Sequence, residues 1–347
     1  MRIHEALLKL ATWFERQKRV LPWRDDPTLY RVWVSEIMLQ QTQVSTVVPY
    51  FEKFMSRFPT LEKLAEASQE EVMLYWAGLG YYSRARNLHQ GARQIQHPGR
   101  FPRNREEWLE IPGVGEYTAG AILSIALDLP EPILDGNVER VLSRVRKVPR
   151  TERYKERLWR LSRILVEKAR EQGIRPSVLN QSLMELGATL CTPKSPRCLL
   201  CPLASLCRAH QAGCEQEFPL KKKPKEWVKV EEELHCWIDA EGRVLLRQRA
   251  TQEWRAGLWD FPEQSPPALA KKVGVVETRH VVTRHKVTRK THVWACKALT
   301  AAEAGRMPSD DFRWVESDKP DVAVGSACRR VLSEIKKRKL IGFSLDF

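Results

Sequence analysis

The chain has 347 residues and carries 58 Lys and Arg against 43 Asp and Glu, a formal net charge of +15. That length suits about two domains, because single cores stop growing near roughly 250–300 residues. The 43% apolar content, with only 17 Gly and 21 Pro, excludes a disordered or fibrous chain. No apolar run reaches the roughly 18–20 residues of a membrane span. Residues 1–19 contain acids and no secretory h-region, so they read as a mature helix. What is left is a soluble, basic chain whose partner is a polyanion, nucleic acid or membrane surface.

In chain order, the first 210 or so residues read as helices joined by short loops. Breaks fall at Leu21-Pro22, Pro59, Gly78-Leu79-Gly80, His97-Pro98-Gly99, Pro112-Gly113 and Leu129 to Pro132. The spacing predicts a helix over 32–44. On its helical wheel Glu36 and Gln40 fall inside the arc of Val32, Trp33, Ile37 and Leu39. A carboxyl there is desolvated and its pKa rises, as a general acid requires. The same placement also suits a buried Glu satisfied by a neighbour, or a helix apolar on several sides.

Further along, Pro112-Gly113-Val114-Gly115 separates two helical segments, the second starting near Glu116. Gly113 and Gly115 allow positive φ and close backbone approach. The free N–H groups of the helix start suit a DNA phosphate and read no base. A plain helix–turn–helix corner is the alternative. Gly78-Leu79-Gly80 echoes the pattern, so two corners could grip two phosphates. Asp135 stands before Gly136 at the start of the next helix, the place of a cap or turn residue. A carboxylate held by helix-start N–H groups also stays ionised. Paired with an acid of raised pKa, it gives the two-role arrangement that cleaves a glycosidic bond through an oxocarbenium-like transition state.

Residues 139–175 hold 13 Lys or Arg and 5 Asp or Glu. The spacing of Arg140, Arg144 and Lys147, then Arg153, Arg157 and Arg160, predicts cations along one helical face. Four of the eight cysteines follow as Cys191, Cys198, Cys201 and Cys207, spaced C-x6-C-x2-C-x5-C. Clustered thiols in a chain without an export signal point to zinc or an iron–sulfur cluster rather than disulfides. The wide arms favour the cluster. Residues 218–229 read as a basic, Pro-containing linker. Beyond it strands are predicted over 232–239, 243–249, 280–288 and 290–297, with a closing helix over 322–337.

These pieces together resemble the MutY-type adenine DNA glycosylases of the helix-hairpin-helix iron–sulfur superfamily, which includes endonuclease III. The carriers are WVSEIMLQQTQV (33–44), WAGLGYYSRARNLH (76–89), IPGVGEYTAGAI (111–122), LDGNVERVLSR (134–144), NQSLMELGATLCTPKSPRCLLCPL (180–203) and GLWDFP (257–262). The resemblance implies a multidomain chain. An all-α catalytic domain over 1–217 holds a helix-hairpin-helix at about 109–122 and a [4Fe–4S] loop at 191–207. The linker 218–229 then leads to an α+β, Nudix-like lesion-recognition domain over 230–347.

The resemblance also implies roles. Glu36 protonates the adenine ring nitrogen and later activates water, Asp135 stabilises the sugar cation, and Asn137 lies beside it. Tyr117 stands where lyase-active relatives have a lysine, so the enzyme is a monofunctional N-glycosylase. Arg19, Leu21, Trp23 and Glu185 line the adenine pocket, while Gln41 and Tyr81 wedge into the stack when adenine flips out. Gly113, Val114 and Gly115 bind phosphate, and Cys191, Cys198, Cys201 and Cys207 hold the [4Fe–4S] cluster. Val282, Thr283, Arg284 and His285 occupy the recognition loop, where the family commonly has Phe-Ser-His. No G-x5-E-x7-R-E-x2-E-E array is present, so nucleotide hydrolysis is not expected. The implied partner is duplex DNA containing adenine opposite 8-oxoguanine or guanine. No membrane is involved, and the protein is expected as a cytoplasmic, nucleoid-associated monomer of bacterial type.

Overall fold

The computed structural model describes residues 2–96, 100–220, 226–250, 252–296 and 311–340. The predicted break at 97–99, the end of the predicted strand at Lys297 and the middle of the predicted linker, 221–225, lie outside the described residues. By contact the chain divides into two compact units, 1–66 with 87–223 and 67–86 with 224–347.

The first unit is helical. It contains α1 (Arg2–Gln17), α2 (Pro22–Asp25), α3 (Leu29–Leu39), α4 (Val44–Arg57) and α5 (Leu61–Glu66). Helix α6 (Gln69–Trp76) and the start of α7 (Ser83–Ile95) belong to the second unit; the first continues through the rest of α7 with α8 (Arg105–Leu109), α9 (Glu116–Leu127), α10 (Gly136–Arg146), α11 (Tyr154–Arg170), α12 (Pro176–Thr189) and α13 (Arg208–Gln211). Leu7, Leu10 and Phe14 of α1 recur at helical spacing and bury against Val138, Leu142, Leu158, Leu179 and Leu183. Each such side chain contributes about 1.5–3 kcal/mol. Helix α3 is buried all round, with Tyr30 and every residue from Val32 to Met38 in the interior. Glu36 is therefore enclosed by a central helix, not merely by one apolar arc.

The helix expected to run to 44 ends at Leu39 instead. Gln41 takes φ +59° and α4 restarts at Val44. No Gly or Pro marks the break. The Gln40 side chain donates to the Gly113 carbonyl at 3.4 Å and the Thr118 hydroxyl at 3.3 Å, tertiary bonds that local propensity does not register.

The second unit holds a six-stranded sheet: β1 (Val228–Ile238), β2 (Val244–Gln248), β3 (Trp259–Asp260), β4 (Lys271–Val282), β5 (His285–Ala295) and β6 (Phe312–Val315). The order is β3-β2-β1-β5-β4, with β6 also on β2. Strands β1 and β5 run parallel from Val228↔His285 to Ile238↔Ala295, and the other pairs are antiparallel. Val331, Leu332 and Ile335 of α14 (Ser326–Lys337) close the core against Leu234, Cys236, Val276 and Val293. The strand predicted over 280–288 is instead a hairpin, turning at Thr283-Arg284 without Gly, Asn or Pro because Thr283 itself adopts φ +53°. Val322 to Val324 are buried, and the closing helix begins only at Ser326. Among the described residues, no helix is long and apolar enough to cross a membrane.

Candidate active site and cysteine loop

Glu36 enters a cleft of about 660 Å³ from the middle of α3 and is only 3% exposed. Tyr117, in the first turn of α9, donates its hydroxyl to Glu36 Oε2 at 2.7 Å. Burial pushes the Glu36 pKa up, the Tyr117 hydrogen bond lowers it, Asp135 raises it and Arg24 lowers it, leaving the carboxyl at about 7. Burial, then Glu36 and Asp135, hold Tyr117 well above the ordinary phenol range, so it remains a donor.

Asp135 is the N-cap of α10. Its Oδ1 accepts from the Val138 N–H at 2.7 Å and its Oδ2 from Asn137 Nδ2 at 3.0 Å. Capping and a place in the cleft are thus combined in one residue. Burial raises its pKa, while these bonds and Arg140 act in the opposite direction. Arg140 Nη2 donates to Asn137 Oδ1 at 2.8 Å and to the Gly187 carbonyl at 2.7 Å, and its Nε donates to the Cys191 carbonyl at 2.7 Å. A Cβ on Gly187 would stand 2.6 Å from Asn137 Cβ, so glycine is what lets α12 approach α10 here.

Arg19, Leu21, Trp23, Gln41, Tyr117, Asn137 and Glu185 all line the cleft with the two carboxyls. Trp23 meets Phe51 edge-on, with centroids 5.3 Å apart. Glu185 is buried, and Arg19 Nε and Arg24 Nη2 donate to it at 2.6 and 2.9 Å. Burial pushes its pKa up, but the two guanidiniums more than offset this and keep it below the usual range. Arg24, Gln181 and Arg140 also line the cleft and were not expected from the sequence. Arg24 follows Trp23 directly, and that adjacency was the one signal available. Tyr81 lies elsewhere, in a pocket of the second unit with Val282 and Thr283.

At the hairpin Gly113 has φ +79°, as expected, but Gly115 has φ −110° and caps α9 in an extended conformation. Val114 is buried and its N–H closes the turn onto the Ile111 carbonyl at 3.1 Å. The open donors are therefore those of the first turn of α9. A Cβ on Gly115 would meet nothing within 4 Å.

The four loop cysteines surround one pocket together with Arg144. Burial, assisted by Glu215 and by the neighbouring cysteines, pushes Cys198 to about 12, and burial with Cys191 and Cys207 pushes Cys201 to about 11. Four sulfurs gathered where a lone thiolate is so unfavourable fit a metal centre, which supplies the positive charge. Backbone N–H groups of Leu203, Ala209 and His210 point at Cys201 and Cys207. Cys191, Cys198, Cys201 and Cys207 would hold the cluster, which braces the loop and adds charge beside α10. Arg144 is 2% exposed and donates to Cys191 Sγ at 3.3 Å and to the carbonyls of Thr192, Pro193 and Phe218 at 2.8, 3.0 and 2.9 Å.

The expected cationic face over 139–175 is accordingly split. Arg140 and Arg144 turn inward, and Arg150 and Lys155 pair with Glu139. Arg146, Lys147, Arg153, Arg157 and Arg160 remain exposed. Of the recognition-loop residues, Val282 ends β4, Thr283 and Arg284 form the exposed turn and His285 opens β5.

Residues 34–165 match the HhH-GPD superfamily of base excision DNA repair proteins, 191–207 the iron–sulfur binding domain of endonuclease III, and 234–334 the NUDIX domain. The chain is 50% identical over 309 residues to an adenine DNA glycosylase of Rattus norvegicus, with 73% of this chain and 59% of that protein covered. It is 33% identical to one of Schizosaccharomyces pombe, with 99% and 92% covered. A solved thermostable thymine-DNA glycosylase shares 26% identity at a TM-score of 0.53, covering 61% of this chain and 98% of its own. The chain spans 56–59% of the length of the mammalian relatives it matches.

Proposed function

The chain belongs to the adenine DNA glycosylase family, and from that premise we propose that it hydrolyses the N-glycosidic bond of adenine in duplex DNA. The favoured substrate is adenine opposite 8-oxoguanine, with weaker action opposite guanine. The carrying observation is the pair of carboxyls in one cleft, Glu36 with its pKa at about 7 and Asp135 under the N–H groups of α10. In this reading residues 1–217 perform catalysis, 230–347 inspect the lesion and 218–229 join them. The protein acts as a monomer on the nucleoid in a bacterial-type cytoplasm.

The duplex is held through phosphates at the start of α9. Adenine leaves the stack and enters the cleft of Arg19, Leu21, Trp23 and Glu185, while Gln41 fills the vacated space. Protonated Glu36 delivers its proton to the adenine ring nitrogen as the bond to the sugar breaks. Asp135 stabilises the oxocarbenium ion that results, and the ionised Glu36 then accepts a proton from the attacking water. Tyr117 supplies no amine for a Schiff base, so the abasic product is left uncut.

Single-turnover release of free adenine from a duplex with 8-oxoguanine opposite adenine tests the reading. Glu36→Gln and Asp135→Asn proteins should bind that duplex and release almost no adenine, and near-normal release by either would sink it. Efficient borohydride trapping of a covalent adduct would overturn the monofunctional assignment.

A further inference from the structure

The tip of the β4–β5 hairpin carries an exposed indole on each of its two faces. Successive side chains of a strand point to opposite faces, so His285 and Lys286 at the start of β5 diverge. On one face the His285 ring meets Trp254, with centroids 5.4 Å apart and planes at 58°; Trp254 is 41% exposed. The Arg255 guanidinium lies over the same indole at 4.9 Å, and Arg255 is itself tied to Glu232 and Asp260. On the other face Lys286 Nζ lies 5.0 Å over Trp227, which is 51% exposed. Trp227 is placed there by its neighbour Val228, which pairs in register with His285 and donates its N–H to the Arg284 carbonyl at 2.9 Å. The Thr283-Arg284 turn that joins the two strands is exposed.

Interleaved aromatics and cations match the demands of a nucleic acid, whose bases offer π-faces and whose backbone offers anions. Trp254 is already held by an anchored guanidinium, so stacking a base on it loses little side-chain freedom. Val282, half-buried at the end of β4, has no ring to offer. The aromatic surface at this tip comes instead from residues distant in sequence.

We propose that this tip is a DNA contact in which Trp254 stacks on a nucleobase at the mispaired site, while Trp227 with Lys286 packs on the sugar–phosphate backbone beside it. The inference rests on the glycosylase reading above and names the side chain that senses the disturbed base pair.

The test uses the full, cluster-loaded chain and measures Kd for three duplexes: 8-oxoguanine opposite a non-hydrolysable adenine analogue, guanine opposite the same analogue, and fully paired DNA. Trp254→Ala should weaken binding about tenfold on the two mispaired duplexes and about twofold or less on paired DNA, a loss in the range of one stacked base. Trp254→Phe should restore most of it, and Trp227→Ala should weaken all three duplexes alike. Undiminished discrimination by Trp254→Ala overturns the proposal while leaving the glycosylase reading intact. An equal loss on all three duplexes that Phe does not restore also overturns it, marking a structural role. A wild-type protein that fails to distinguish mispaired from paired DNA overturns the reading itself, and the proposal with it.

Discussion

Tyr117 donates its hydroxyl to Glu36 at 2.7 Å, so a side chain from the first turn of α9 is the direct partner of the candidate acid on α3. That hydrogen bond favours the ionised carboxylate and opposes the burial that raises its pKa. As a general acid Glu36 must be protonated, so wild-type adenine release should fall as pH rises through about 7. Tyr117→Phe removes the opposing bond and should move that limb upward by about one unit, since a hydrogen bond to a charged group is worth about 1.5–3 kcal/mol. Single-turnover rates across the neutral range decide it; a limb that moves down contradicts the role given to Tyr117.

The same burial makes a claim about stability. Glu36 titrates at about 7 in the fold and near its ordinary 4.5 in the unfolded chain. Folding therefore favours the protonated form, and stability is lost as pH rises from the lower value through the higher one. Above about pH 7 the full penalty applies, about 3 kcal/mol. Glu36→Gln keeps the shape and removes the charge, so it should raise Tm at alkaline pH and bring no gain below the ordinary carboxylate range. Thermal unfolding at the two extremes measures this, and a gain of equal size at both would place its cause elsewhere.

Much of this site is legible in the sequence because its signals are local. Glu36 stands out as a carboxyl within an apolar stretch, Asp135 as an acid ahead of Gly136, and the cysteines by their spacing. The arginines are a different case. Arg140 and Arg144 read as cations along one helical face and Arg24 carries no signal of its own, yet their partners are Glu185, Gly187, Cys191 and Phe218, from 47 to 161 residues away. A charge turned inward by such partners has no periodic signature. Strand β3 has only two residues, and the turns at Gln41 and Thr283 lack Gly or Pro, so neither period nor punctuation marks them. Gln41, Tyr81 and Thr283, all expected at the DNA, share positive φ values of 59°, 49° and 53°. Such backbone is uncommon outside glycine, and it clusters where strain serves function.

Arg144 ties the cysteine loop to α10 and to Phe218, and a shorter neutral side chain cannot span those carbonyls. Each buried acceptor left unsatisfied costs about 1–3 kcal/mol. Arg144→Gln should therefore lose iron and sulfide per chain and the broad visible absorbance of the cluster. The exposed Arg146→Gln should retain both. Equal iron content in the two variants would mean that the loop holds its shape without the clamp.

Gly113 and Gly115 separate stability from DNA binding within three residues. Alanine at Gly113 must hold φ +79° and bring its Cβ to 2.9 Å from Asn87 Cβ. A left-handed L-residue costs about 1–2 kcal/mol before that contact is relieved, so Tm should drop by several degrees. Gly115 is extended, and a Cβ there meets nothing within 4 Å. Gly115→Ala costs the fold about 0.5–1 kcal/mol, because glycine is the better N-cap, but it adds neither backbone strain nor a clash. The added methyl does fill the open space before the first turn of α9, where a phosphate has to approach the N–H groups. Gly115→Ala should therefore melt between wild type and Gly113→Ala while binding paired and mispaired duplexes about tenfold more weakly, because a phosphate contact carries no sequence information. Undiminished affinity for both duplexes would show that the DNA backbone is held somewhere other than the start of α9.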